Sequence, residues 1–280
     1  MTLHYGAVAG WITECGKAWV AGDATPLVAG CNPDVEILWQ AWRVSGRDAL
    51  SQALAGLLAT GPRRLLIRRA LIDAERAVAA VEWLARLPAD SGTGVRELLG
   101  GVAMDFDDAG LVSRAVFALD MLRSRQLDAV DAPWPDELWQ PSVDPGPPPQ
   151  RADMEAAMRA NTRAWHSRRA DSFDALVHPE VHLCPPWDYR IGRPGFRQVA
   201  QYHFDHYQET QVTVRRVIFD ATQPHFGVCQ QTFACTDQAT GRRGEDEDFA
   251  FFELCHDKLR YWRNYFDAEA SVQSGYDTVE

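Results

Sequence analysis

The sequence predicts an α+β fold built twice in one chain. Three observations carry that expectation. Residues 133–149, PWPDELWQPSVDPGPPP, hold seven prolines in seventeen positions. Such a density favours extended polyproline geometry and resists helix and strand interiors. Motifs on one side of this stretch recur on the other in constant register. In each half, helical segments come first and strand-like runs with short turns follow. The expected organisation is a first domain at 1–126, a Pro-rich linker at 127–150 and a second domain at 151–280. Trp134 and Trp139 are expected to anchor the linker on a domain surface.

The recurrence is explicit. AWVAGDATPLVAGCNPDVEILWQAWRVSGRDAL starts at Ala18, and AWHSRRADSFDALVHPEVHLCPPWDYRIGRPGF starts at Ala164. Ala-Trp, then Asn/His-Pro-acid-Val, then Gly-Arg recur 146 positions apart, and Asp120 and Asp267 match 147 apart. Motifs held in register over so long a span argue for duplication.

The elements follow in order, most clearly in the second copy. Met154, Met158, Thr162 and Trp165 have helical spacing within 152–170, which predicts a helix. A short helix around 171–177 and a short strand, EVHLC, come next. Pro194 stands near the start of a second main helix, PGFRQVAQYHFDHYQ, where its fixed φ is tolerated. VTVRRVIFDA, HFGVCQQTFACTD, EDFAFFEL and KLRYWRNYFD have strand composition and short turns, so an antiparallel meander is expected. The first copy repeats the order, with strands at RRLLIRRALID, RAVAAVEWLARL and RELLGGVAMDF. Helices on one face of a curved, mostly antiparallel sheet make an α+β domain with one concave side.

Bulk properties exclude several functions. The 280 residues are 46% hydrophobic and 24% charged, ordinary for a globular protein, with a net charge of −11. Nucleic-acid binding needs a basic surface, so nucleic acid is not an expected partner. No apolar run reaches the length of a membrane span, and no basic cluster addresses anionic lipid. The N-terminal stretch lacks a basic start and contains Glu14, so a signal peptide is not expected. Six cysteines at 15, 31, 184, 229, 235 and 255 form no C-x-x-C pair. They read as reduced, buried thiols of a cytoplasmic protein. No phosphate loop, dinucleotide fingerprint or nucleophile elbow occurs.

The series of helices, short strand, Gly-Arg turn, helix and long meander ending in WRNYFD resembles the nuclear transport factor 2-like superfamily. Within it, the chain is most similar to the SnoaL-like polyketide cyclases and limonene epoxide hydrolases. The resemblance covers both halves apart from the linker and is stronger in the second. It implies two tandem cone-like α+β barrels, each with a pocket between helices and sheet. It also implies pairing through the sheets, made here as an intramolecular pseudo-dimer and compatible with a further homodimer. The implied chemistry uses no cofactor or metal. It is cyclisation, isomerisation or epoxide opening of an apolar metabolite, polyketide or terpenoid, in secondary metabolism. The alternative is a non-catalytic small-molecule-binding or scaffold protein of the same fold.

Carried over residue by residue, the resemblance places Asp267 on the carboxylate that ends the last strand of the epoxide hydrolases and helps activate water. The Arg and second Asp of those enzymes fall on Gln231 and Phe233. The basic Asp of the ketosteroid isomerases falls on Leu183, and on Ile37 in the first copy. This chain thus departs from both patterns. A looser arrangement survives, in which an acid/base carboxylate with polar helpers sits in an apolar pocket.

Candidate residues follow from these two readings. Asp267 at the edge of an apolar cavity would be an acid or base near neutrality; the plain alternative is a strand-end Asp that caps a turn or pairs with Arg263. Asp248 alternates onto the face of Ala250, Phe252 and Leu254 and is the second catalytic candidate. Asp246 reads instead as part of an acidic hairpin end beside Arg242 and Arg243. Gln231, Tyr265, Trp187, His182, Phe233 and Leu183 are the substrate-binding candidates. Alternation with Leu183 points His182 away from the pocket, and Trp187, Asp188 and Tyr189 read as a rim or a turn. His203 and His206, three apart on a helix, lack a convincing third metal ligand. In the first copy Gly100 aligns with Asp248, leaving Asp120, Glu82, Arg86 and Glu97 as polar candidates; this copy is expected to be degenerate or differently equipped.

Overall fold

The computed structural model describes residues 3–39, 42–58, 63–89, 94–131, 144–184 and 190–265. The chain divides into two compact units, Met1–Pro135 and Asp136–Glu280. Residues 132–143, with Trp134 and Trp139, lie outside the described residues.

The first unit runs α1 (Tyr5–Ala21), α2 (Thr25–Ala29), β1 (Cys31–Trp39), β2 (Trp42–Ser45), α3 (Arg47–Leu58), β3 (Arg64–Asp73), β4 (Val78–Pro88), β5 (Val95–Phe106) and β6 (Val112–Leu127). The second runs α4 (Arg151–Ser167), a 3-10 turn (Ala170–Phe173), β7 (Val177–Cys184), β8 (Arg190–Ile191), α5 (Gly192–His206), β9 (Tyr207–Phe219), β10 (Phe226–Asp237), β11 (Arg243–Cys255) and β12 (Lys258–Tyr265). The strand orders are β2-β1-β6-β5-β4-β3 and β8-β7-β12-β11-β10-β9, one topology made twice. All neighbours are antiparallel except β1 with β6 and β7 with β12. The two units are tandem α+β domains.

Each meander is held by alternation. On one face of the second sheet, Val217, Cys229, Ala250, Phe252 and Trp262 join Met154, Met158, Phe196 and Phe204 of the helices in one core. Burying each large apolar side chain contributes about 1.5–3 kcal/mol. Phe249 and Phe251 on the other face are also buried, so FAFFELC is enclosed on both sides. The first unit repeats the plan with Ile12, Leu50, Leu54, Val81 and Val102.

The repeated Gly-Arg pair has a structural reason. Gly46 and Gly192 sit at φ +88° and +78°, a region that glycine enters without penalty. The turn throws the following arginine back onto the short strand. Arg47 Nη2 donates to the carbonyl of Cys31, and Arg193 Nε donates to the carbonyl of Val177 at 3.0 Å. Donor and acceptor are each shifted by 146 residues between the copies.

Several element boundaries differ from expectation, two of them at the ends of the short strand and α5. The short strand starts at Val177 rather than at 180, and α5 stops at His206 rather than running to 208. Arg168 Nη2 donates to the carbonyls of Phe204 (2.6 Å) and Tyr207 (2.8 Å). These contacts satisfy carbonyls at the helix end, and Tyr207 is already extended at φ −124°, ψ 146°.

Candidate active site

Register on the core-facing side of the second sheet brings polar residues from three strands together. Gln231 of β10 is opposite Asp248 of β11, and Ala250 of β11 is opposite Asn264 of β12. Gln231 Nε2 donates to Asp248 Oδ2 at 3.1 Å, and Asn264 Nδ2 donates to the same oxygen at 2.9 Å. Behind them, the Trp262 indole N–H donates to Asn264 Oδ1. The Cys229 thiol donates to Gln231 Oε1 at 3.5 Å. Asp248 Oδ1 is buried and has no hydrogen-bond partner among the described residues.

Asp248 is 3% exposed. Burial pushes its carboxyl up to about 7; the Gln231 and Asn264 hydrogen bonds oppose the rise, and nearby Asp246 adds to it. Without the two amide donors, the charged form would be costlier still. Burial also raises the Cys229 thiol well above its usual range, so it stays a donor.

The surroundings are apolar and aromatic. Val214 is opposite Gln231 in the ladder. Phe233, two residues along β10, meets Trp165 and His203 edge-on at 5.4 and 5.2 Å. His203 Nε2 shares a 3.0 Å hydrogen bond with Thr210 Oγ1. Burial, then Arg168 and His206, lowers its pKa to about 3, so its imidazole is neutral at physiological pH. His206 bonds the carbonyl of Tyr202 on the exposed side of α5.

The remaining candidates fall as follows. Asp267 and Trp187 lie outside the described residues. Leu183, opposite Trp262 in the parallel ladder, is in the core. His182 pairs with Tyr261 on the other face. Tyr265 is on that other face too, edge-on to Phe251 at 5.7 Å and beneath Arg263. Trp262 and Asn264 take the side toward Asp248, so alternation sends their odd-numbered neighbours away. Sequence reasoning passed over Asn264 and Trp262. The signal available was that same alternation, counted from Trp262 rather than from the strand end.

In the first unit the corresponding row is apolar. Trp83 stands opposite Gly100, and Val102 opposite Phe117, where the second unit has Gln231, Asp248, Ala250 and Asn264. A Cβ on Gly100 would lie 2.4 Å from the Trp83 indole, so the indole occupies the space of the carboxylate. Phe117 stacks on Trp39 at 5.3 Å. Glu82 is on the opposite face, bridged to Arg68 (3.3 Å) and Arg69 (3.5 Å), and Glu97 pairs with Arg86 at 2.8 Å. Both carboxylates are matched by guanidinium groups away from the core-facing row. Asp120 is opposite Leu99 in the ladder, and its side chain is outside the described residues. A groove of about 660 Å³ between α1 and β3, lined by Ile12, Gly16, Leu65 and Ile67 among others, borders the row; Ile67 is the partner of Trp83.

No family model and no curated protein matches the chain. Among solved structures, it is similar to an LEH-like epoxide hydrolase of M. tuberculosis, at 16% identity over 45% of this chain and 91% of that one, TM-score 0.39. A candidate SnoaL-like polyketide cyclase from Jannaschia sp. gives 12% identity over 45% and 95%, TM-score 0.40. An NTF2-like protein from Burkholderia thailandensis gives 12% over 44% and 96%, TM-score 0.38. The chain's structural neighbours are thus NTF2-like, SnoaL-like and epoxide hydrolase-like proteins, each covering less than half of it. Among the described residues, no helix is long and apolar enough to cross a membrane.

Proposed function

We propose that the second unit is an acid/base site centred on Asp248, acting on an apolar small molecule that carries an oxygen function. One observation carries the reading. A fully buried carboxylate has one oxygen held by two amide N–H groups and the other without a partner among the described residues. With a proton affinity poised near neutrality, such a group serves as base in one step and acid in the next. As carboxylate, Oδ1 takes a proton from a carbon acid, a hydroxyl or an attacking water. As carboxylic acid, it returns that proton to the developing oxyanion or carbanion. The sequence resemblance supports cyclisation, isomerisation or epoxide opening as the reaction class. Asp267 is proposed as the second carboxylate. Gln231 and Asn264 orient Asp248, and the apolar walls hold the substrate in a reactive fold.

For the first unit a different role is proposed. Trp83 fills the position of the acid, which favours a structural or ligand-holding part without proton transfer.

The test is turnover of a panel of lipophilic ketones and epoxides in deuterated water, followed by mass spectrometry. Solvent deuterium incorporation or ring opening is expected with the full chain. Asp248→Asn should reduce it by about 10²–10⁴-fold. An Asp248→Asn protein that turns over at the wild-type rate sinks the proposal.

A further inference from the structure

The amides around Asp248 are themselves held from behind. An indole N–H can only donate, so the Asn264 atom facing Trp262 is the oxygen, and the NH2 group is thereby turned to Asp248. Gln231 is held the same way, with its Oε1 receiving the Cys229 thiol and its NH2 facing the carboxylate. Both amides therefore converge their N–H groups on Oδ2, and neither presents a carbonyl to it.

We propose that Trp262 is a positioning residue, whose indole N–H locks the Asn264 amide so that Oδ2 is committed to N–H donors and Oδ1 alone exchanges a proton with a bound molecule. The ligand class follows from that geometry. The molecule must bring a hydroxyl, carbonyl or epoxide oxygen, or an acidic C–H, to Oδ1 within apolar surroundings. It should carry no anionic group there, because no described cation faces Asp248 on this side of the sheet. The titratable groups that act on Asp248 are Cys229 on β10 and Asp246 on β11; β12 contributes Asn264 and, behind it, the indole.

This inference rests on the Asp248 reading, and the experiment separates the two. Asp248 is titrated by ¹³C NMR in the full aspartate-labelled chain as wild type, Trp262→Phe and Phe252→Leu. Phe252 stacks on Trp262 at 6.1 Å, so its truncation loosens the same packing without touching either amide. Freed from the indole, Asn264 rotates and loses its donation to Oδ2. Trp262→Phe should raise the Asp248 midpoint by about one pH unit, the size of one charge-assisted hydrogen bond. Phe252→Leu should leave it within a few tenths of a unit. An unchanged or lowered midpoint in Trp262→Phe, or an equal rise in Phe252→Leu, overturns the positioning role. The wild-type midpoint itself is the independent measure of the acid/base reading.

Discussion

Asn264 donates to Asp248 Oδ2 across 2.9 Å, yet its partner in the strand ladder is Ala250. The contact is diagonal: the amide reaches two residues along the neighbouring strand to stabilise a charge that burial opposes. Gln231 approaches the same oxygen from its directly opposed position on the other side. The balance between burial and these two donors sets the chemistry of the second unit, and it gives the first prediction.

Asp248 is raised from 3.8 to about 7. The folded protein therefore holds a proton that the unfolded chain releases between those two values. The Asp248 contribution to stability is fully present below pH 4, falls as pH rises from 4 to 7, and is gone above. The full difference is roughly 4 kcal/mol. Asp248→Asn, which does not ionise, should gain on wild type across this window. Urea unfolding of both proteins at pH 4.5 and pH 8 measures it, and a pH-independent gap would count against the buried-acid account.

His203 shifts the other way, to about 3. For this base the stabilisation is present above pH 6.5 and is lost as pH falls through the interval toward 3. His203→Phe keeps the ring packing against Trp165 and Phe233 and removes the group that must take up a proton. It should unfold at lower pH than wild type in an acid titration followed by circular dichroism. An identical acid midpoint would show that His203 does not drive acid unfolding.

Gly100 is a steric requirement in the first unit. Gly100→Ala places a methyl against the Trp83 indole and should destabilise by about 1–3 kcal/mol. Trp83→Leu combined with Gly100→Ala should cost less than the sum of the two singles, because they share one space. Additive denaturation midpoints would contradict the filled-site description.

The arginine of the repeated Gly-Arg pair is assigned to the scaffold. Arg193→Met leaves the Val177 carbonyl without its donor and should lower stability by about 1–3 kcal/mol, read as a lower thermal midpoint. Turnover per folded molecule should be unchanged. Lost activity with intact stability would move Arg193 into the site.

Much of this was legible in the amino-acid order. Duplication follows from motifs that recur in register, and the sequence of helices and strands and the placing of Asp248 on the face of Ala250, Phe252 and Leu254 follow from periodicities within single segments. Those periodicities are local, because neighbouring side chains on a strand must alternate. The relation between strands is not local. Which face of KLRYWRNY turns toward Asp248 depends on the ladder between β11 and β12, including its shift between Glu253 and Leu254. Only the folded chain put Asn264 and Trp262 on the inner side and Tyr265 on the outer. It likewise laid Trp83 across Gly100, because two residues 17 positions apart in sequence share one pair in the sheet. Sequence patterning determined where the helices and strands lie. Register, set by hydrogen bonding across the whole sheet, decided which side chains meet.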